Sequence, residues 1–284
     1  MNLPNNVPGK MEYIQKVFLG VQDYMQKNHG LEEVIAFLDA EAPEFRSVAY
    51  ESASMEIGLQ ELSGGKELNY WKKFYQRSAK AHTFHMDIGL GWAFAKSEIS
   101  PTPYLESLHQ VMRWMVFDGM GYYHGLFKGR RTVKNQLVPA GIEMQDLHGF
   151  DQGLGRRLWY ISKGEVNELI KLIQPFHLSR HADLWRGVGI ASGYVGGNEK
   201  TNLEQLLTCS AGFKQQLCTG VTLAAISRSA SNSVTGDIES ACEIICGRTL
   251  SDVLSLETGI RKQFISVSGN IYLDLVSQLE SAFI

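Results

Sequence analysis

Arg180-His181-Ala182-Asp183-Leu184-Trp185-Arg186-Gly187-Val188-Gly189-Ile190-Ala191-Ser192-Gly193 is the stretch on which the fold turns. Its glycines admit two readings. A dinucleotide loop places Gly-x-Gly-x-x-Gly after a buried strand and before a helix. Here the spacing Gly187-x-Gly189-x-x-x-Gly193 is one residue longer, Leu184-Trp185-Arg186 is not a buried strand, and no βαβ unit surrounds it. The same spacing recurs at Gly89-x-Gly91-x-x-x-Ala95 and Gly119-x-Gly121-x-x-x-Gly125. Glycine inside a helix costs roughly 0.5–1 kcal/mol against alanine, so repeated glycines there need compensation from packing. Residues four apart share a helix face, and small side chains on it let two helix axes approach closely. The motif packs helices; it does not cradle phosphate.

Outward from this stretch the chain repeats itself. Tyr50-Glu51-Ser52-Ala53 matches Phe150-Asp151-Gln152-Gly153 as aromatic, acid, polar, small, and Ile88-Gly89-Leu90 matches Val188-Gly189-Ile190 at the same offset. Phe117-Asp118-Gly119 reads as the start of another unit and Ser210-Ala211-Gly212-Phe213 as a degenerate one. Stacked helical units bury their faces against one another. The expectation is an all-α chain of duplicated helical hairpins, packed as an α-solenoid-like or bundle-like domain. Residues 1–10 form a frayed tail and 11–284 a single domain, with repeats at about 45–127 and 148–228. Apolar periodicity predicts helices at 11–26, 31–38, 43–62, 68–79, 82–95, 104–127, 150–161, 166–173, 180–195, 203–227, 238–246 and 253–280. The run 265–272 reads equally as a strand. The connection at 128–149 is long, basic at its start and broken by Pro139, as functional lids often are.

Composition bounds the function. The 284 residues are 44% hydrophobic and 20% charged, which suits a sizeable core. A net charge of -3 gives no reason to expect nucleic acid. The one basic cluster, Lys128, Arg130, Arg131 and Lys134, reads as a solvated loop. No apolar run is long enough for a membrane span, and the polar N-terminus is not a secretory signal. Cys209, Cys218, Cys242 and Cys246 read as free thiols, so the expected compartment is the cytoplasm.

The candidate chemistry is a set of histidines and acids. His82 and His85 share a helical face, and Glu51, Asp118, Asp151 and His181 fall at or near corresponding repeat positions. Four-helix di-iron sites use two Glu-x-x-His pairs; this chain has one, Glu106 to His109, and His109 lies roughly 13 Å along a helix from Asp118. No metal is therefore assigned, and no cofactor is identified. Glu51 and Asp151 have an alternative account as acids near helix starts. Asp118, Asp151, His181 and His85 are the catalytic candidates. Trp92, Tyr122, Tyr123, His124, Trp159 and Trp185, beside the small-residue helices, are the candidates to line an apolar cavity, although aromatics at helical spacing are more often core.

Three blocks carry a family resemblance: 117–125, Phe-Asp-Gly-Met-Gly-Tyr-Tyr-His-Gly; 149–159, Gly-Phe-Asp-Gln-Gly-Leu-Gly-Arg-Arg-Leu-Trp; and 180–189, Arg-His-Ala-Asp-Leu-Trp-Arg-Gly-Val-Gly. They resemble the UnbL-like bacterial family of unknown function (domain of unknown function 1702), whose genes often lie beside enediyne polyketide synthase genes. The resemblance covers about 45–228 and implies a setting in polyene-derived natural-product biosynthesis, without any assigned catalytic residue. Two expectations follow. The chain either binds an elongated apolar intermediate between its repeats and promotes cyclisation or oxidation, or serves as a non-catalytic helical scaffold docking other proteins. A homodimer is compatible with both.

Overall fold

The computed structural model describes residues 3–65, 67–108, 112–261 and 271–283. Among them the chain is helical, with no strand. The α-helices are α1 (Val7–Met25), α2 (Leu31–Asp39), α3 (Pro43–Ser63), α4 (Asn69–Ser97), α5 (Met115–Phe127), α6 (Leu147–Ile161), α7 (Val166–Ile173), α8 (Leu178–Val195), α9 (Lys200–Cys209), α10 (Lys214–Ala230), α11 (Gly236–Ala241), α12 (Leu250–Arg261) and α13 (Ile271–Ser281).

Several elements differ from the sequence expectation, each for a local reason. Helix α1 begins at Val7, inside the span 1–10 expected as a tail. Asn6 accepts a hydrogen bond from the Gly9 N–H at 2.8 Å, Pro8 sits in the first turn, and Lys10 is buried against Glu44. Of the helix predicted over 104–127, the start is the 3-10 turn Thr102–Ser107 and the α-helix begins at Met115. The span 203–227 breaks into α9 and α10 at the short 3-10 turn Ala211–Phe213, which holds Gly212. Cys242–Cys246 closes the 238–246 segment as a π turn. Of 253–280, residues 262–270 lie outside the described residues, as does most of the strand alternative; Ile271 and Tyr272 open α13.

The helices predicted at 68–79 and 82–95 are one helix, α4, and it is sharply bent. Trp71 Nε1 donates to Ser54 Oγ at 2.7 Å, and Gly89 packs against the same Ser54. Eighteen residues of straight helix would separate Trp71 from Gly89 by about 27 Å. The first part of α4 therefore runs antiparallel to α3. The second part turns back and runs parallel to it, through Ser47–His82, Glu51–His85 and Gly58–Ala93.

That parallel sense continues along the chain. Contacts rise together in number from α5 to α6 (Gly121–Phe150, then Gly125–Leu154), from α6 to α8 (His148–Asp183, then Gln152–Arg186) and from α8 to α10 (Arg186–Gly220, then Tyr194–Arg228). A row of six parallel helices results: α3, the second part of α4, α5, α6, α8 and α10. The side-chain hydrogen bonds Glu51–His85, Asp118–Gln152, His148–Asp183 and Gln152–Arg186 each join successive members and span 34 or 35 residues. The sequence match between the α3 and α6 blocks thus joins helices three steps apart in this row. The row also curls: Tyr194 of α8 stacks near His85 of α4 with ring centroids 4.5 Å apart, and α10 touches α4.

Glycines set the spacing. Two residues apart on a helix means about 200° around it, so Gly-x-Gly presents its glycines to opposite neighbours. Gly89 meets the Glu51 carbonyl of α3 while Gly91 meets Val116 of α5; Gly119 meets Ile88 of α4 while Gly121 meets Phe150 of α6. A Cβ on any of these would overlap a backbone carbonyl oxygen of the neighbouring helix. The packing reading of the glycines stands, with an i, i+2 component beside the i, i+4 one. Gly119→Ala is expected to destabilise by about 1–3 kcal/mol through overpacking. Gly20→Ala, on an exposed face of α1 with nothing within 4 Å of the new methyl, stabilises by about 0.5–1 kcal/mol. Urea denaturation of both variants checks this, and equal midpoints would contradict it.

Candidate functional site

Close helices bring polar side chains within reach of their neighbours. Asp118, Gln152 and Arg186 each immediately precede the first glycine of a Gly-x-Gly pair, and together they form one buried chain of hydrogen bonds. Gln152 donates to Asp118 at 2.8 Å, and its carbonyl oxygen accepts from Arg186 at 2.9 Å and from the Tyr272 hydroxyl at 2.6 Å. Arg156 donates to the other oxygen of Asp118, and Arg186 also reaches Asp183 and Glu280. Burial raises the Asp118 carboxyl, and Arg156 and Gln152 oppose that shift. Burial alone would lower Arg156, but Asp118 and Glu51 more than offset it and hold the guanidinium charged.

Beside this chain, His85 Nδ1 lies 2.7 Å from Glu51. Burial pushes His85 below its ordinary value, against the pull of Glu51. Glu51 lies in the middle of α3, so the helix-start account of it fails. Glu51 and Asp118 act electrostatically on the same Arg156, so His85 and Asp118 share one neighbourhood. Asp151 does not join them. It is held by Arg180, whose Nε donates at 2.8 Å, in a separate buried pair. His181 is elsewhere again, its Nε2 2.8 Å from the Phe176 carbonyl and its ring against Phe213. His82 is bonded to Ser47 and stacked on Tyr50.

The aromatic candidates are mostly packing. Trp92 lies between Phe18 and Tyr122, with centroids at 4.9 and 5.2 Å. Tyr122 meets Tyr160 edge-on and carries Arg156 over its ring. Trp159 and Trp185 are buried, and Tyr123 is half-buried against Phe127. Among the described residues no cluster of three or more His, Cys, Asp or Glu side chains is placed to hold a metal ion. Glu106 lies in the 3-10 turn, and His109 lies outside the described residues.

A cleft opens where α4 and α5 end. Its volume is about 420 Å³, between Phe94, Ala95 and Ile99 of α4 and its end, Met120 and His124 of α5, and Leu137, Val138 and Pro139 of the following segment. Glu98, Lys128 and Arg131 also line it. Of the residues singled out from sequence as ligand-lining, His124 alone borders this cleft. Burial, then Lys128, lowers the His124 pKa, with Glu98 opposing, so its imidazole is neutral near pH 7. The apolar lining was missed. Its available signal was the long, basic connection beginning at Lys128, where chain of no helical period has to cover the ends of two helices.

His82 supplies a pH test of the buried interior. Burial pushes it from 6.5 down to about 3. The unfolded chain therefore takes up a proton below about pH 6.5 that the folded chain refuses until about pH 3. Its contribution to stability is complete above about pH 7 and is lost as pH falls through that window. In His82→Gln the fall in stability between about pH 7 and pH 5 should be shallower by up to about 1.4 kcal/mol per pH unit. Denaturation curves at several pH values check this; identical slopes in the two proteins would contradict it.

No helix among the described residues is long and apolar enough to cross a membrane. No curated protein and no solved structure matches the chain. A family model does, described as "Protein of unknown function (DUF1702)", and it spans residues 4–270. The chain belongs to the DUF1702 family.

Proposed function

We propose that this protein binds an elongated apolar small molecule in the cleft at the ends of α4 and α5, as a carrier or processing protein in polyene- or polyketide-derived natural-product biosynthesis. The observation that carries the reading is the cleft itself: about 420 Å³, apolar on the sides formed by Phe94, Met120, Leu137 and Val138, with a few polar groups at one end. Small-molecule sites have this size and make-up. The biosynthetic setting, including an association with enediyne clusters, rests on the sequence resemblance alone.

The site differs from the one expected between the repeats. There the helices meet at glycine backbones. The cleft instead lies at the C-terminal ends of α4 and α5, where residues 137–141 cover it. His124 is the cleft's proton-transfer group, neutral and half-buried, and thus suited to accept a proton during a cyclisation. The scaffold reading draws on a different observation: Phe127 at the end of α5 and Met144 in the segment before α6 are 59% and 88% exposed, as residues of a docking surface would be.

All-trans-retinol, a neutral polyene whose fluorescence rises on leaving water, tests the reading. Titration is expected to saturate with wild-type protein. Ala140→Trp, which fills the cleft from an exposed position on the covering segment, should weaken binding about tenfold or more, since overpacking a site costs roughly 1–3 kcal/mol. No saturable signal, or saturation indifferent to Ala140→Trp, would contradict the cleft assignment.

A further inference from the structure

We infer that the apolar molecule in the cleft ends in a single negative charge, a carboxylate, seated between Lys128 and Arg131 beside His124. The inference rests on the cleft reading above and adds the chemical class of its ligand. Between residues 126 and 142 the chain carries Lys128, Arg130, Arg131 and Lys134 and no acid, in a protein whose net charge is -3. Lys128 and Arg131 border the cleft, and neither makes an ion pair among the described residues. The acid lining the same space is Glu98, at the left-handed end of α4. Two cations against one carboxylate leave the lining one charge positive, which matches a monoanion rather than a neutral chain or a phosphate.

The geometry orders the ligand. Phe94, Ala95 and Met120 are buried and form the inner, apolar part. Lys128 and Arg131 are exposed and stand at the mouth. An apolar chain entering tail first leaves its head between them. An arginine fork binds a carboxylate through paired, charge-assisted hydrogen bonds. The charged groups acting on His124 are Lys128 and Arg131 from the covering segment and Glu98 from α4. A carboxylate at the mouth offsets the two cations that hold the imidazole down, so a bound acid raises the His124 pKa, and a bound alcohol does not.

Retinoic acid and retinol share one polyene chain and differ in the head group. With the full-length protein, retinoic acid should bind about tenfold tighter than retinol, the effect of one charge-assisted contact. Lys128→Ala/Arg131→Ala should erase that preference, bringing the retinoic acid and retinol affinities together. Arg130→Ala/Lys134→Ala, which removes the same charge outside the cleft, should keep it. The His124 ring resonances, titrated by NMR, should show a higher pKa with retinoic acid than with retinol. Equal affinity for the two ligands overturns this inference and leaves the cleft reading intact. Failure of both ligands to bind overturns the cleft reading and this inference with it. Loss of the preference in both double variants marks a general surface-charge effect and overturns the assignment to Lys128 and Arg131.

Discussion

Backbone meeting backbone is the constraint from which the rest of this structure follows. At Gly91 and Gly119 two helices touch through their main chains, and the arrangement recurs at Gly121, Gly153, Gly155, Gly187, Gly189 and Gly220. Each successive helix is thereby drawn close to the last. Parallel neighbours require the chain to return between them. It does so through the first part of α4, the 3-10 turns before α5, the segment before α6, and then α7 and α9.

Such proximity has an electrostatic consequence. A side chain next to a glycine contact lies within hydrogen-bond reach of the next helix, which is why buried Asp118, Gln152 and Arg186 form one continuous chain. The buried charges of Asp118, Asp151 and Arg186 are tolerated because each finds a partner. The ion pairs Asp118–Arg156 and Asp151–Arg180 therefore read as fixing the register of neighbouring helices, a role that requires no substrate. They account for the burial of Asp118 and Asp151.

Much of this was legible in the sequence, and the losses are informative. Glycines at repeated spacing predicted close helix packing, and the blocks at Tyr50, Phe117 and Phe150 fall on helices of the row, whereas the degenerate one at Ser210–Phe213 falls on a 3-10 turn. What local spacing could not supply was the partner, because Gln152, Arg156 and Arg180 lie tens of residues from the acids they hold. The aromatics carried two readings, cavity wall and core, and Trp92, Trp159 and Trp185 are buried in the core. The bend in α4 was anticipated only as a break between two helices. The cleft lies on the one long stretch where periodicity says nothing, and its sequence trace was charge: four cations with no acid among them.

A site made by irregular chain over helix ends suits a ligand-binding role, since the helical row supplies rigidity and the covering segment supplies shape and charge. The most direct measurement of the central claim is photo-crosslinking with a long-chain fatty acid bearing an aliphatic diazirine, followed by peptide mapping. The account predicts adducts, suppressed by excess retinoic acid, on Met120 and on residues 137–141. Suppressible adducts confined to the shallow face formed by Arg248 with Asp252 and Leu256 of α12, or no suppressible adduct at all, would contradict it.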